Sequence, residues 1–213
     1  MNAVFFDIDG TLFDTKADMA ATVNHTRREL GLKEISEDEV ISHVGLGARY
    51  FLETSIPECS YDEVHERFMR HYEEHCDERV QPYPGVVRTL AELRDRGWLM
   101  GINTNKPNFA VRKILEKFGL TRYFGSAIVA GGDGVELKPS AASIRECAAR
   151  LRGHRLSSHD WMVGDSWTDM QCAENAGVKA AFCAFGFGKL NDTRFTVKIN
   201  RFDELLRYLK PEE

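Results

Sequence analysis

The 213-residue chain has no apolar run of membrane-spanning length: its longest, AAFCAFGF at 180–187, is interrupted by Gly186 and ended by Gly188. A spanning helix needs about 20 such residues, so no membrane partner is expected. Positive charge is not in excess either. Lys and Arg number 28 against 33 Asp and Glu, a net charge of -5, which removes any general attraction to nucleic acid or anionic lipid. Cysteines are few and unpaired: Cys59, Cys76, Cys147, Cys172 and Cys183 are odd in number, widely spaced and without a C-x-x-C pair. That excludes a disulfide frame and a cysteine zinc site. One helical i,i+4 histidine pair, His71 and His75, lacks a third ligand and reads as a solvated face shared with Glu73 and Glu74. No internal repeat or low-complexity segment is present. Asn2-Ala3-Val4-Phe5-Phe6 begins without a basic leader and cleavage site, and the expected location is the cytoplasm.

What remains is an ordinary globular composition, 43% apolar and 29% charged, long enough for one large domain or one domain with an insert. Strand-length apolar runs at 4–8, 98–103, 126–131, 160–165 and 178–184 alternate with helical patterns near 85–96, 107–118, 139–152 and 167–176. Such alternation predicts a parallel α/β sheet with right-handed crossovers. Continuous rather than alternating hydrophobicity in the runs predicts helices on both faces. Residues 15–81 break the rhythm. They hold no convincing strand but carry Ser36 with Glu39 and Ser60 with Glu63 at capping-box spacing, and the stripe Val64, Phe68 and Tyr72. Between Asp14 and Val80 there are 16 acidic and 8 basic residues, so an acidic helical insert sits inside a slightly basic remainder. The expected organisation is an α/β core of residues 1–14 and 82–213 with a helical domain at 15–81. RFDELLRYLK (201–210) reads as a closing helix.

The stretch VFFDIDGTLFDT poses a physical question: Asp7 and Asp9 place two like charges at the mouth of a buried strand, where their repulsion needs a positive counterpart. In an open parallel sheet, ligands bind beyond the carboxyl ends of the strands. Applied to each strand, the rule gathers Asp7 and Asp9, then Thr104-Asn105-Lys106, then Lys138 in GGDGVELKPS, then Asp165 and Asp169 in GDSWTD. Several carboxylates on one rim call for a hard cation with oxygen ligands, for which Mg2+ is suited. Such an ion would hold Asp7 towards a phosphorus atom as nucleophile, with Asp9 as general acid and base. Thr104, Asn105 and Lys138 would supply donors and charge to phosphoryl oxygens. Pro107 and Pro139, each after a lysine, are expected at the first position of a helix, and Thr104 doubles as a candidate cap.

In that order, DIDGT, Thr104-Asn105-Lys106, Lys138-Pro139 and GDSWTD resemble the four motifs of the haloacid dehalogenase-like phosphatases, and the helical insert resembles their C1 cap. INTNKP, GGDGVELKP and VGLG (44–47) are similar to the phosphoglycolate phosphatase-like branch, and the likeness spans roughly residues 4–188. The resemblance implies a Rossmann-like sheet and a Mg2+-dependent phosphatase for a small phosphorylated metabolite, acting through an aspartyl phosphate. It implies Asp7, Asp9 and Lys138 as catalytic residues, and metal ligation by Asp7, the Asp9 backbone carbonyl and Asp165, with Asp169 in support. Thr104, Asn105 and Gly10 would meet phosphate or substrate, and Arg49 is the cap group best placed to meet a substrate anion. A phosphosugar mutase of the same fold, similar to β-phosphoglucomutase, retains the same acids. A non-catalytic binding or regulatory protein on this scaffold would be expected to lose Asp7 or Asp9, and both are present. A dehalogenase gains nothing from a protonating Asp9, and a phosphonate hydrolase needs a desolvated cap lysine, for which only Lys16 and Lys33 are on offer.

Overall fold

The computed structural model describes residues 1–210. In chain order the elements are β1 (Ala3–Phe6), β2 (Phe13–Asp14), α1 (Lys16–Glu29), α2 (Glu37–Ile41), α3 (Ala48–Ser55), α4 (Tyr61–His75), β3 (Gln81–Pro82) and α5 (Val86–Asp95). They continue with β4 (Leu99–Pro107), α6 (Asn108–Lys117), α7 (Thr121–Phe124), β5 (Ile128–Gly131), α8 (Ala141–Arg150), β6 (Trp161–Gly164), α9 (Trp167–Ala176), β7 (Lys179–Cys183) and β8 (Val197–Ile199), ending in a 3-10 turn, Phe202–Arg207.

Six strands form one sheet in the order β5-β4-β1-β6-β7-β8, with every pairing parallel. All four residues of β1 are buried because successive side chains enter different cores. Val4 and Phe6 pack with Leu90 of α5, Ile114 of α6 and Phe202. Ala3 and Phe5 pack on the opposite face with Ile144 of α8 and Met170 of α9. The two-sided burial explains why these strands read as unbroken apolar runs. A third cluster, with Val23, Leu52, Val64 and Phe68 among its members, is formed mainly within α1–α4.

Several boundaries differ from the sequence reading. β4 runs on through Thr104-Asn105-Lys106 to Pro107, with a register shift against β5 between Asn103 and Pro107. Thr104 is therefore inside a strand and does not cap α6, whose cap position is Pro107. Pro139 lies before the helix rather than at its first position, because Ser140 provides the N-cap by accepting from Ala142 N. Ser36 accepts from Glu39 N as expected, but Ser60 starts α4 without a side-chain cap bond. Gln81–Pro82 pairs antiparallel with Phe13–Asp14, joining the points where the chain leaves and re-enters the sheet domain. Beside that junction, the buried Asp18 carboxylate accepts from the backbone N–H of Arg79 (3.0 and 2.9 Å) and Val80 (3.0 Å), a tie between the start of α1 and the segment after α4. The closing helix is the 3-10 turn, preceded by the unforeseen strand β8.

Candidate active site

At the carboxyl edge of the sheet a cavity of about 70 Å3 lies between the strand ends and the helical segment. Asp7 extends the pairing of β1, its N–H donating to Val163 O at 3.0 Å, which seats it beside the end of β6. The chain then turns tightly, Ile8 O accepting from the N–H groups of Thr11, Leu12 and Phe13. Gly10 makes this possible. Its φ is +73°, and a Cβ there would lie 1.8 Å from Asp165 Oδ2. Asp165 follows β6 and is fixed from the other side by Phe187 N and Gly188 N, which donate to its Oδ2 at 2.9 and 2.7 Å.

Asp7, Asp165 and Asp169 each place a carboxylate oxygen within 4.8 Å of the others. Lys138 enters this group from the loop after β5. Its buried Nζ lies 2.9 Å from Asp7 Oδ1 and 2.6 Å from Asp169 Oδ1. Asp169 completes a capping box at the start of α9, its Oδ2 accepting from Ser166 N at 3.0 Å and Ser166 Oγ at 2.6 Å. Asn105 locks Lys138 in place. Its Oδ1 accepts from Lys138 N and its Nδ2 donates to Lys138 O, both at 2.9 Å, while Nδ2 also donates to Gly45 O of the helical segment at 2.8 Å.

Asp9 stands apart from the three clustered carboxylates. Its Oδ1 accepts from Thr15 Oγ1 and from Lys106 Nζ, both at 2.7 Å. Lys106 Nζ also donates to Tyr72 Oη of α4 at 2.6 Å. Burial works to discharge Lys106, but Asp9 and Tyr72 outweigh it and hold its pKa above the ordinary lysine value. Burial pushes the Asp7 carboxyl up from 3.8 to about 6; Asp169 and Asp9 add to the rise, while Lys138 and Thr104 oppose it. Asp165 is raised well above the ordinary value, first by burial and then by Asp169 and Asp7.

These features test whether the site fits Mg2+. Four carboxylates face two ammonium groups, so two negative charges stand uncompensated when all are ionised. Asp7 Oδ1, although near Lys138, makes no hydrogen bond. A clustered, all-oxygen donor set with a twofold charge deficit suits one hard divalent cation, which would reverse the upward push on both carboxyl groups. Asp7 and Asp165 would hold it from the cavity wall. Asp169, fully buried and bonded to Ser166 and Lys138, would support them from behind.

Asp7, Asp9, Thr104, Asn105, Lys138 and Asp165 all line the cavity, as the strand-end rule predicts. Gly10 lies against Asp165 and serves the site by its lack of a side chain. The Asp9 side chain does not join the cluster of three carboxylates, because Lys106 and Thr15 hold it. Arg49 is not brought in: its guanidinium stacks 3.8 Å over the Tyr61 ring, pairs with Glu53 at 3.0 Å, and its side chain is 65% exposed. At α3 it is Gly47, Ala48 and Phe51 that reach the cavity. Lys106 was visible in the Thr104-Asn105-Lys106 motif without a role, and Tyr72 was visible only as an apolar stripe. Phe187 lines the cavity and contributes its backbone N–H to Asp165.

Comparison with known proteins agrees with this geometry. The model of the haloacid dehalogenase-like hydrolase family matches residues 4–183. A phosphoglycolate phosphatase of Agrobacterium fabrum is 38% identical over 189 residues, covering 85% of this chain and 80% of that protein. One from Aquifex aeolicus is 31% identical over 210 residues, covering 98% and 97%. The crystal structure of a predicted phosphoglycolate phosphatase from Haemophilus somnus superposes with a TM-score of 0.89 at 24% identity, covering 97% of each chain, a likeness of fold. The chain belongs to the haloacid dehalogenase-like hydrolases, as a phosphatase of their phosphoglycolate phosphatase-like branch.

Proposed function

We propose that this phosphatase hydrolyses the phosphate monoester of a small metabolite, with 2-phosphoglycolate the first candidate, through an aspartyl phosphate on Asp7 and with Mg2+ as its cofactor. The observation that carries the reading is the cluster of Asp7, Asp165 and Asp169 around Lys138, closed into one cavity with Asp9. The substrate name is supported by the relatives from Agrobacterium fabrum and Aquifex aeolicus.

In this mechanism an Asp7 carboxylate oxygen attacks phosphorus, forming an O–P bond as the ester P–O bond breaks. Asp9, on the same turn, gives its proton to the leaving oxygen and later takes one from the water that hydrolyses the aspartyl phosphate. Lys138 keeps Asp7 oriented and offers positive charge to the phosphoryl oxygens, and Thr104 offers a hydroxyl from β4. A bound Mg2+ would supply charge compensation between the carboxylates and the phosphoryl group. Residues 15–81 act as a cap that excludes bulk water, tied to the core by the bond from Asn105 to Gly45 and by that from Lys106 to Tyr72. Five free cysteines, four of them buried, support a cytoplasmic setting. No helix among the described residues is long and apolar enough to cross a membrane.

Phosphate release from 2-phosphoglycolate and from a generic aryl phosphate, with Mg2+ and with a chelator, tests the reading. Turnover requiring Mg2+, and abolished in a folded Asp7→Asn protein, is expected. Activity retained in Asp7→Asn would overturn the nucleophile, isomerisation of a hexose phosphate without net phosphate release would replace hydrolysis by mutase chemistry, and no turnover of any ester would leave a binding protein.

A further inference from the structure

We infer that Lys106 is a specificity-determining residue that reads an anion on the leaving group, so that the substrates of this site are phosphate esters of small hydroxy acids. The inference rests on the proposed phosphatase reaction, and in particular on Asp9 serving the leaving oxygen.

Three observations converge on Lys106. First, no charged residue of the helical segment lines the cavity. Its contribution there includes Met19, Val44, Phe51, Phe68 and Tyr72, and Arg49 is turned away onto Tyr61. A leaving group bearing a carboxylate therefore has no cation to meet on the cap side. Second, the core offers the cavity only two ammonium groups. Lys138 is committed to Asp7 and Asp169 at the phosphoryl end. Lys106 is bonded instead to Asp9, the group next to the leaving oxygen. Third, an ammonium has three donors, and Lys106 spends two, on Asp9 Oδ1 and Tyr72 Oη. The third is unspent on a side chain that lines the cavity. In a glycolate-type ester the carboxylate carbon is two bonds from the ester oxygen, so an ester oxygen at Asp9 brings its carboxylate beside Lys106. The apolar wall opposite limits the rest of the leaving group to a small one.

An uncharged leaving group of the same size would leave the third donor unsatisfied, which lowers affinity for the neutral ester. Specificity on this view is set by a lysine of the core motif, with the cap supplying the hydroxyl that holds it and the wall that bounds it.

The test is the ratio of kcat/KM for 2-phosphoglycolate to that for ethyl phosphate, measured with Mg2+ in the wild type, Lys106→Met and Lys106→Arg. Any loss that Lys106→Met causes through Asp9 falls on both esters and cancels in the ratio. The ratio should favour 2-phosphoglycolate in the wild type, fall about 10- to 100-fold in Lys106→Met, the range for one charge-assisted hydrogen bond, and recover in part in Lys106→Arg. Should Lys106→Met turn over neither ester, the same ratio is read as affinity, by calorimetry in the Asp7→Asn protein with and without Lys106→Met. A wild-type ratio near one, or a ratio unmoved by Lys106→Met, would overturn the assignment. A wild type that hydrolyses neither ester would instead overturn the phosphatase reaction on which it rests.

Discussion

Lys138→Met separates two roles that the charge balance gives one residue. Methionine fills most of the space of the buried lysine stem, so the perturbation is chiefly the loss of one positive charge. Its ammonium lies 2.6 Å from Asp169 and 2.9 Å from Asp7, contacts worth about 6 kcal/mol each before desolvation at an effective dielectric constant of about 20. Returning the lysine to water in the unfolded chain offsets much of that gain, and breaking a buried pair costs about 3–5 kcal/mol net. Proton uptake limits the loss, because Asp7 already sits near pKa 6 and rises further without its partner. For a chain of this length the expected fall in Tm in a chelator at pH 8 is about 6–20 °C. The same substitution makes the carboxylate cluster one charge more negative, so Mg2+ should bind about tenfold tighter or better and restore much of the lost Tm. Turnover should nevertheless fall, since Asp7 loses its orienting cation. Thermal unfolding across a Mg2+ titration, beside a phosphate-release assay, reads all three. A variant as stable as the wild type in chelator, or one that binds Mg2+ more weakly, would refute the charge balance.

Further expectations follow from the same contacts. The folded chain holds a proton on Asp7 up to about pH 6, whereas the group titrates at 3.8 when unperturbed; between those values the metal-free fold binds more protons than the unfolded chain, so its stability falls as pH rises, by up to about 3 kcal/mol from this group. Mg2+ needs the ionised carboxylate, and the Tm rise on adding it should be larger at pH 7.5 than at pH 5; equal shifts would contradict the placement of the ion. Gly10→Ala combines an unfavourable φ of +73° with a Cβ 1.8 Å from Asp165 Oδ2, so the fold should lose about 1–2 kcal/mol to backbone strain and, because Asp165 must move, the Mg2+-induced Tm shift should shrink as well. Asp18→Ala removes the acceptor of two backbone N–H groups, those of Arg79 and Val80, between α1 and the segment after α4. A loss of about 1.5–3 kcal/mol in denaturant unfolding is expected, with faster proteolysis near residues 79–80.

The sheet was readable because its physics is repetitive. Each strand lies between two layers of helices, and that burial is written as a run such as Ala3–Phe6 with no polar interruption. The site was readable for a related reason: parallel strands deliver their ends to one edge, so order along the chain and position in space are linked there. Asp7, Thr104, Lys138 and Asp165 are neighbours because Thr104 lies in the carboxyl-terminal half of its strand and the others follow theirs. β8 escaped notice because three residues, one of them exposed, leave too little pattern. β4 was cut short because Asn103–Lys106, polar and buried, does not look like strand until its side chains are seen to have partners.

The helical segment obeys no such link between order and place. Arg49 and Tyr72 show the consequence. Charge alone made Arg49 the expected partner of a substrate anion, and Tyr72 was one position in an apolar stripe. A helix presents a residue according to its own rotation on the core, however, and α3 turns Arg49 onto Tyr61 while α4 turns the Tyr72 hydroxyl onto Lys106. That rotation is fixed by packing among Phe51, Phe68 and Tyr72, a three-dimensional fit that no spacing of residues encodes. The cation near the leaving group consequently comes from the strand-end motif, where the sequence had already placed a lysine without a task. A cap that contributes wall and hydroxyl while the core contributes charge can change its apolar side chains, and with them the size of the leaving group, without disturbing the balance of charge around Asp7.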